Sequence, residues 1–118
     1  MTPIYDRNGR TIAWMNNNYI YQLSGRQVLA FVNNNSVFTY GSRHIGRLSN
    51  GFFRDRFGHA IAFIQGATNG PIPPIPQIPP IPPIPVIPPI PPIPPIPPIP
   101  PIDSLSWSNF TWENFINV

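Results

Sequence analysis

Cysteine and lysine are absent from the 118 residues, and glutamate occurs once. Without cysteine there is no disulfide framework, no thiolate nucleophile and no cysteine zinc site. No Gly-x-Ser-x-Gly elbow or phosphate-binding glycine loop occurs, and neither His44 nor His59 has a partner four residues on for a metal site. No enzyme activity and no cofactor are expected. The opening MTPIYDRNGR has no apolar stretch behind its first charge, so no secretory signal is expected and the cytoplasm is the expected compartment. From Ala60 to Ile102 there is no Asp, Glu, Lys or Arg at all. That stretch cannot be a spanning helix, because proline removes the amide donor and clashes with the preceding turn.

Proline is scarce for most of the chain and then dominant. Of the 20 prolines, 19 fall between Pro71 and Pro101, and the other is Pro3. About 65 residues precede the tract, enough for one small domain and fewer than the roughly 70–80 at which a core is comfortable without staples. Charge is lopsided as well: seven arginines against Asp6 and Asp55 make residues 1–70 net +5, while Asp103 and Glu113 make the tail −2.

The first part repeats itself. Ile4-Tyr5-Asp6-Arg7-Asn8-Gly9-Arg10 is followed by related segments starting at Ile20, Val37 and Phe53. The spacings of 16, 17 and 16 become regular if Val28 is an insertion. Each copy has apolar or aromatic residues on both sides of a turn: Asn8-Gly9, Ser24-Gly25, Gly41-Ser42 or Phe57-Gly58. That pattern predicts a β-hairpin, with Asn8-Gly9 suited to a type I′ turn. Asn16–Asn18, Asn33–Asn35 and 49–51 are short polar connectors between hairpins. One hairpin alone is marginal in water, so the four must bury their apolar faces together, as a linear stack or a ring. No copy reads as an atypical cap, and a ring leaves fewer exposed edges. The expected fold is therefore all-β: four tandem hairpins closed around a pseudo-fourfold axis over residues 3–67.

Four hairpins reading IYDRNGRTIAWM, YQLSGRQVLAF, GSRHIG and FFRDRFGHAIAFI, followed by a proline-rich segment, resemble the bacterial four-fold beta flower family. The resemblance covers about residues 3–67. It implies a compact domain of four petals around an axis and carries no activity, cofactor or catalytic residue. The third copy departs from the pattern, with its glycine one place early at Gly41.

Residues 68–102 form the second segment. From Ile72 to Ile102 every third residue is Ile, eleven in all, and the places between are Pro except at Gln77 and Val86. Period three with proline predicts a polyproline II rod of roughly 100 Å if fully extended, with the isoleucines along one edge. Ile81, Ile84, Ile90 and Ile93 lie on that edge. Collagen-like winding is excluded, because glycine does not recur every third residue. So large an apolar ribbon predicts a partner: another copy, the chain's own aromatics, or a groove of another protein.

The third segment, 103–118, concentrates Trp107, Phe110, Trp112, Phe115 and Ile116. Ser108 can cap a short helix from Asn109 to about Ile116, and the segment reads as a docking peptide for its own repeats or for a partner.

Two functional readings follow. The first is a non-enzymatic structural or protein-interaction module, acting through the Pro/Ile tract and the C-terminal aromatics. The second uses Arg10, Arg26, Arg43 and His59, which fall at one motif position and would form a cationic circle for a phosphate, a carboxylate or nucleic acid. A head charge of +5 is modest for nucleic acid, and Tyr5, Tyr21 and Phe38 serve more simply as packing residues than as base-stacking platforms.

Overall fold

The computed structural model describes residues 1–117. Eight strands, β1 (Thr2–Asp6), β2 (Thr11–Asn16), β3 (Tyr19–Gln22), β4 (Val28–Asn33), β5 (Ser36–Thr39), β6 (His44–Ser49), β7 (Phe52–Arg54) and β8 (Ala60–Phe63), pair antiparallel in chain order. β8 returns to β1 through Tyr5↔Phe63, so the barrel is closed and the ring expectation holds. In each repeat a β-bulge falls at the same place, after Ile4, Ile20, Val37 and Phe53. Such a bulge bends its strand and increases the local twist, which helps so short a sheet to close.

Register corrects two details of the repeat reading. Val28 pairs with Tyr21 as Thr11 pairs with Tyr5, so Val28 is not the insertion. The extra residue of the second repeat lies in its turn, where the Gln22 amide reaches Gln27 while the Asp6 amide reaches Arg10. The type I′ turns also fall elsewhere. Asn17-Asn18, Asn34-Asn35 and Asn50-Gly51 have both residues at positive φ. They are two-residue hairpin loops matched to strand twist, not passive connectors. The Asn8-Gly9 turn is instead a three-residue loop with only Gly9 left-handed, held by Asp6 Oδ1, which accepts from the Asn8 and Arg10 amides at 2.9 and 3.0 Å. Asp55 does the same for Phe57 and His59. In the third repeat Ser42 takes the left-handed place (φ 63°), so that turn keeps its form without a glycine there.

The inward positions alternate large and small around the ring: Ile4 faces Ala13, Ile20 faces Ala30, Val37 faces Gly46 and Phe53 faces Ala62. All eight positions lie in the interior. One mouth is stopped by α1 (Trp112–Ile116), whose Trp112, Phe115 and Ile116 join the same core. The helix is shorter than expected and its cap is Thr111, which shares a capping box with Asn114. Ser108 instead donates to Asp55 Oδ2 at 2.6 Å.

The tract does not project from the domain. A straight rod of these residues would span about 100 Å, whereas the longest dimension of the whole chain is 36 Å. Residues 71–102 carry no helix or strand and run once around the barrel as a belt. The lengths agree: about 100 Å of extended proline chain against a perimeter of about 110 Å for a disc 36 by 34 Å across.

Candidate functional site

The belt lies against an outer wall built by the same register that fills the core. Where consecutive hairpins join, outward residues pair across strands: Trp14 with Tyr21, Phe31 with Phe38, and Phe63 with Tyr5 across the closure. These six point away from the barrel axis and are nevertheless buried. Tyr21 donates its hydroxyl to the Val86 carbonyl at 3.3 Å, Tyr40 donates to the Pro89 carbonyl at 3.1 Å, and Phe31 borders a cavity shared with Pro91, Pro92 and Pro94. Tyr5, Tyr21 and Phe38 are thus wall residues, with no face free for a base.

The fourth junction breaks the pattern. There the cross-strand pair is Arg47 and Arg54. Arg54 occupies the place held by Tyr5, Tyr21 and Phe38 in the other repeats, and it is fully buried. Its Nη1 donates to the carbonyls of Gly58 (2.6 Å) and Ser104 (2.8 Å), and its Nη2 to that of Asn69 (2.8 Å). Asn69 lies just before the tract and Ser104 just after it, so one side chain holds both ends. Asp103 lies between the two arginines, paired with Arg47 and 3.5 Å from Arg54 Nε. Arg47 also donates to the Pro101 carbonyl at 2.8 Å. Burial disfavours the charge on both arginines, and for Arg54 the neighbouring Arg47 adds to this while Asp55 opposes it. Three carbonyls and a carboxylate offset that cost.

The turn glycines complete the seat. A Cβ on Gly9 would come within 2.9 Å of the Ile75 carbonyl oxygen, and one on Gly25 within 2.7 Å of the Pro83 ring. The belt can approach only because these places are bare and left-handed.

The sequence-predicted residues separate into three groups. Arg10, Arg26, Arg43 and His59 stand on four different turns around the mouth that α1 fills, so they do not converge on an open centre. Arg10 pairs with Asp6 at 3.4 Å, while Arg26 and Arg43 are exposed. Ile81, Ile84, Ile90 and Ile93 are 91–95% exposed. All eleven tract isoleucines face solvent, 91% exposed or more. Of the C-terminal aromatics, Trp112 and Phe115 are buried in the chain's own core, and Trp107 packs on Phe52 and Phe63. Phe110 stacks with Phe57, and both stay about half exposed or more. Self-docking therefore accounts for most of this peptide.

A groove of about 400 Å³ lies between residues 97–101 and the third hairpin, lined by His44, Arg47, Asp55 and Arg56 among others. Burial lowers the pKa of His44, a backbone hydrogen bond at Gly46 opposes that, and Arg56 adds to the lowering. Among the described residues no group of three or more His, Cys, Asp or Glu could hold a metal ion, and no helix is long and apolar enough to cross a membrane.

Sequence reasoning missed Arg47 and Arg54. The signal for Arg54 was present: it is the one non-aromatic residue in the column Tyr5, Tyr21, Phe38, Arg54.

Fold and site together define a closed eight-stranded barrel of four hairpin repeats, belted by its own proline-rich tail and stopped by its C-terminal helix. The chain matches the 4-fold beta flower protein family over residues 2–116, tail included, and belongs to that family. No curated protein and no solved structure matches it.

Proposed function

We propose that this protein is a non-enzymatic assembly module whose contact surface is the outer isoleucine edge of the belt, and that its first partner is a second copy. The observation that carries this is the exposure of all eleven isoleucines at 91–97% while the other side of the tract is fastened to the wall. The largest apolar patch of an ordinary monomer is roughly 300–600 Å², and a rim of eleven nearly bare isoleucines goes well past that. The rim also carries no charge, so two chains of net +3 can bring these edges together without placing like charges in contact. Burying four isoleucines at such a contact would contribute about 6–12 kcal/mol before the costs of association.

Sedimentation velocity over a concentration series tests the proposal. Association should persist or strengthen at high salt, and glutamine at Ile81, Ile84, Ile90 and Ile93 should abolish it. A chain that stays monomeric at every concentration overturns it. The exposed Arg26 and Arg43 support a second reading, anion binding at the turns. Its mark would be binding that falls steeply with salt and is lost on replacing Arg10, Arg26 and Arg43.

A further inference from the structure

The inner edge of the belt carries a separate message from the outer one. A proline strand is rich in acceptors and poor in donors, because each proline supplies a carbonyl and no N–H. Within the tract only the isoleucines and the two interruptions, Gln77 and Val86, keep an amide. Those two interruptions make equivalent bonds: Gln77 N–H donates to the Gly9 carbonyl at 2.9 Å, and Val86 N–H to the Gly25 carbonyl at 3.2 Å. Beyond the tract Ser104 N–H donates to the Gly58 carbonyl at 3.1 Å. Gly9, Gly25 and Gly58 are the left-handed residues of the first, second and fourth turns.

The spacing is regular. Gln77 and Val86 are nine residues apart, and Ser104 is twice nine further on. Nine residues are three periods of the Ile-x-x pattern, or about 28 Å of extended proline chain, roughly a quarter of the perimeter. The nine-residue series has no member at residue 95, a proline with no amide to give; the third turn, with Ser42 in place of glycine, instead meets the belt at Pro89, whose carbonyl accepts from the Tyr40 hydroxyl. Just before residue 95 the belt passes beside Asn17, Asn18 and Asn33, at the opposite ends of the strands. The carbonyl preceding each donor pair repeats as well: Ile75, Ile84 and Ile102 are the residues whose oxygens lie over Gly9, Gly25 and Gly58.

We propose that the outer wall of the barrel is a register-reading receptor for a proline-rich strand. Its resident ligand is the chain's own tract, and the specificity determinants are the backbone amides of Gln77 and Val86, recognised by the carbonyls of Gly9 and Gly25. The ligand class is an Ile-Pro-Pro strand with an N–H restored at nine-residue intervals. Side-chain identity at 77 and 86 is secondary, which is why one is polar and the other apolar: both are exposed.

The experiment uses the full chain and compares two double variants and one fourfold variant by unfolding equilibrium and by amide hydrogen exchange of the belt. Gln77→Ala with Val86→Ala keeps both amides and should unfold within about twofold of the native chain. Gln77→Pro with Val86→Pro removes both amides and should raise the unfolding constant about fivefold per lost bond. The third variant exchanges Pro76 with Gln77 and Pro85 with Val86, preserving composition while moving each donor one place; it should lose as much as the second. If the tract were only a stiff wrap, added proline would leave stability unchanged or raise it through the unfolded state. Proline variants as stable as the alanine variant overturn the proposal. An alanine variant as damaged as the proline one overturns it too, by assigning recognition to side chains.

Discussion

Arg54 offers the sharpest test of how the belt is fastened. Replacing it with methionine keeps much of the volume and removes the guanidinium, so the carbonyls of Gly58, Asn69 and Ser104 lose a charged donor together. Hydrogen bonds to charged groups contribute about 1.5–3 kcal/mol each. Three of them do not add in full here, because Asn69 and Ser104 lie near enough to the surface for water to replace part of the loss. Asp103 keeps Arg47 as a partner. Breaking one member of a buried ionic cluster costs about 3–5 kcal/mol, and that is the expected loss. A chain of this length has a total stability of roughly 6–18 kcal/mol, so the variant should fold and be measurable. In urea the midpoint should fall by about 2–3 M, given a slope of about 1.5 kcal/mol/M. Tryptophan fluorescence is a suitable probe, since Trp107 packs on Phe52 and Phe63 beside the clasp. Arg54→Lys should recover less than half of the loss, because an ammonium cannot span three carbonyls as a planar fork does. Hydrogen exchange at the Ser104 amide, bonded to the Gly58 carbonyl, should accelerate with the methionine change. A methionine variant within 0.5 kcal/mol of native with Ser104 exchange unchanged would refute the clasp.

Two further predictions concern the third repeat. Gly46 stands where the other repeats have alanine, and a Cβ there would overlap the Arg54 carbonyl and lie 2.7 Å from Phe115 Cε1. Gly46→Ala should cost about 1–3 kcal/mol by overpacking, measured by urea unfolding, with Phe115→Leu relieving only the ring contact. His44 has its folded pKa lowered chiefly by burial, so below its ordinary value near 6.5 the unfolded chain takes up a proton that the folded chain resists. Stability should therefore fall as pH drops through 6.5 toward the lowered value, and His44→Gln should remove that slope from urea midpoints taken at pH 7.5 and 5.

The barrel was legible because its signals are local. Apolar alternation and turn residues recur every 16 or 17 positions, and four copies without a cap pointed to closure. The turn assignments went astray for a physical reason. Asn8-Gly9 carries the sequence mark of a two-residue loop, but the Asp6 carboxylate bonds the Asn8 and Arg10 amides and draws the chain into a three-residue one. The Asn-Asn pairs took the type I′ role, and both residues accept the left-handed region. Sliding one repeat along another could not locate the insertion either, because the extra residue follows the turn glycine inside the loop, and only the backbone bond from Gln22 to Gln27, against Asp6 to Arg10, places it there. For the tract, period three revealed that one edge is isoleucine, and the exposures agree. Composition alone could not say that the opposite edge has a seat. That depends on aromatic side chains such as Tyr21 and Phe31 being brought to the outer wall by strand register, and register is a property of pairs.

A belt around a fourfold barrel poses a problem that symmetry cannot solve. Four equivalent aromatic junctions would hold a proline strand equally well at any rotation, and nothing would mark where it starts or stops. The strand is also short of donors, so those of its carbonyls that turn away from water must be met by donors from the wall. Exchanging the aromatic pair of one junction for Arg47 and Arg54 answers both needs. The two guanidiniums supply donors to Asn69, Pro101 and Ser104, and Asp103 offsets part of their charge. Those acceptors belong to the two ends of one circuit. The polar junction therefore sets the phase of the belt, and the amides of Gln77 and Val86 keep count over the first half of the turn. Arg54 is a defect in the repeat only when the barrel is considered alone; with the belt in place, it is the residue that makes the ring directional.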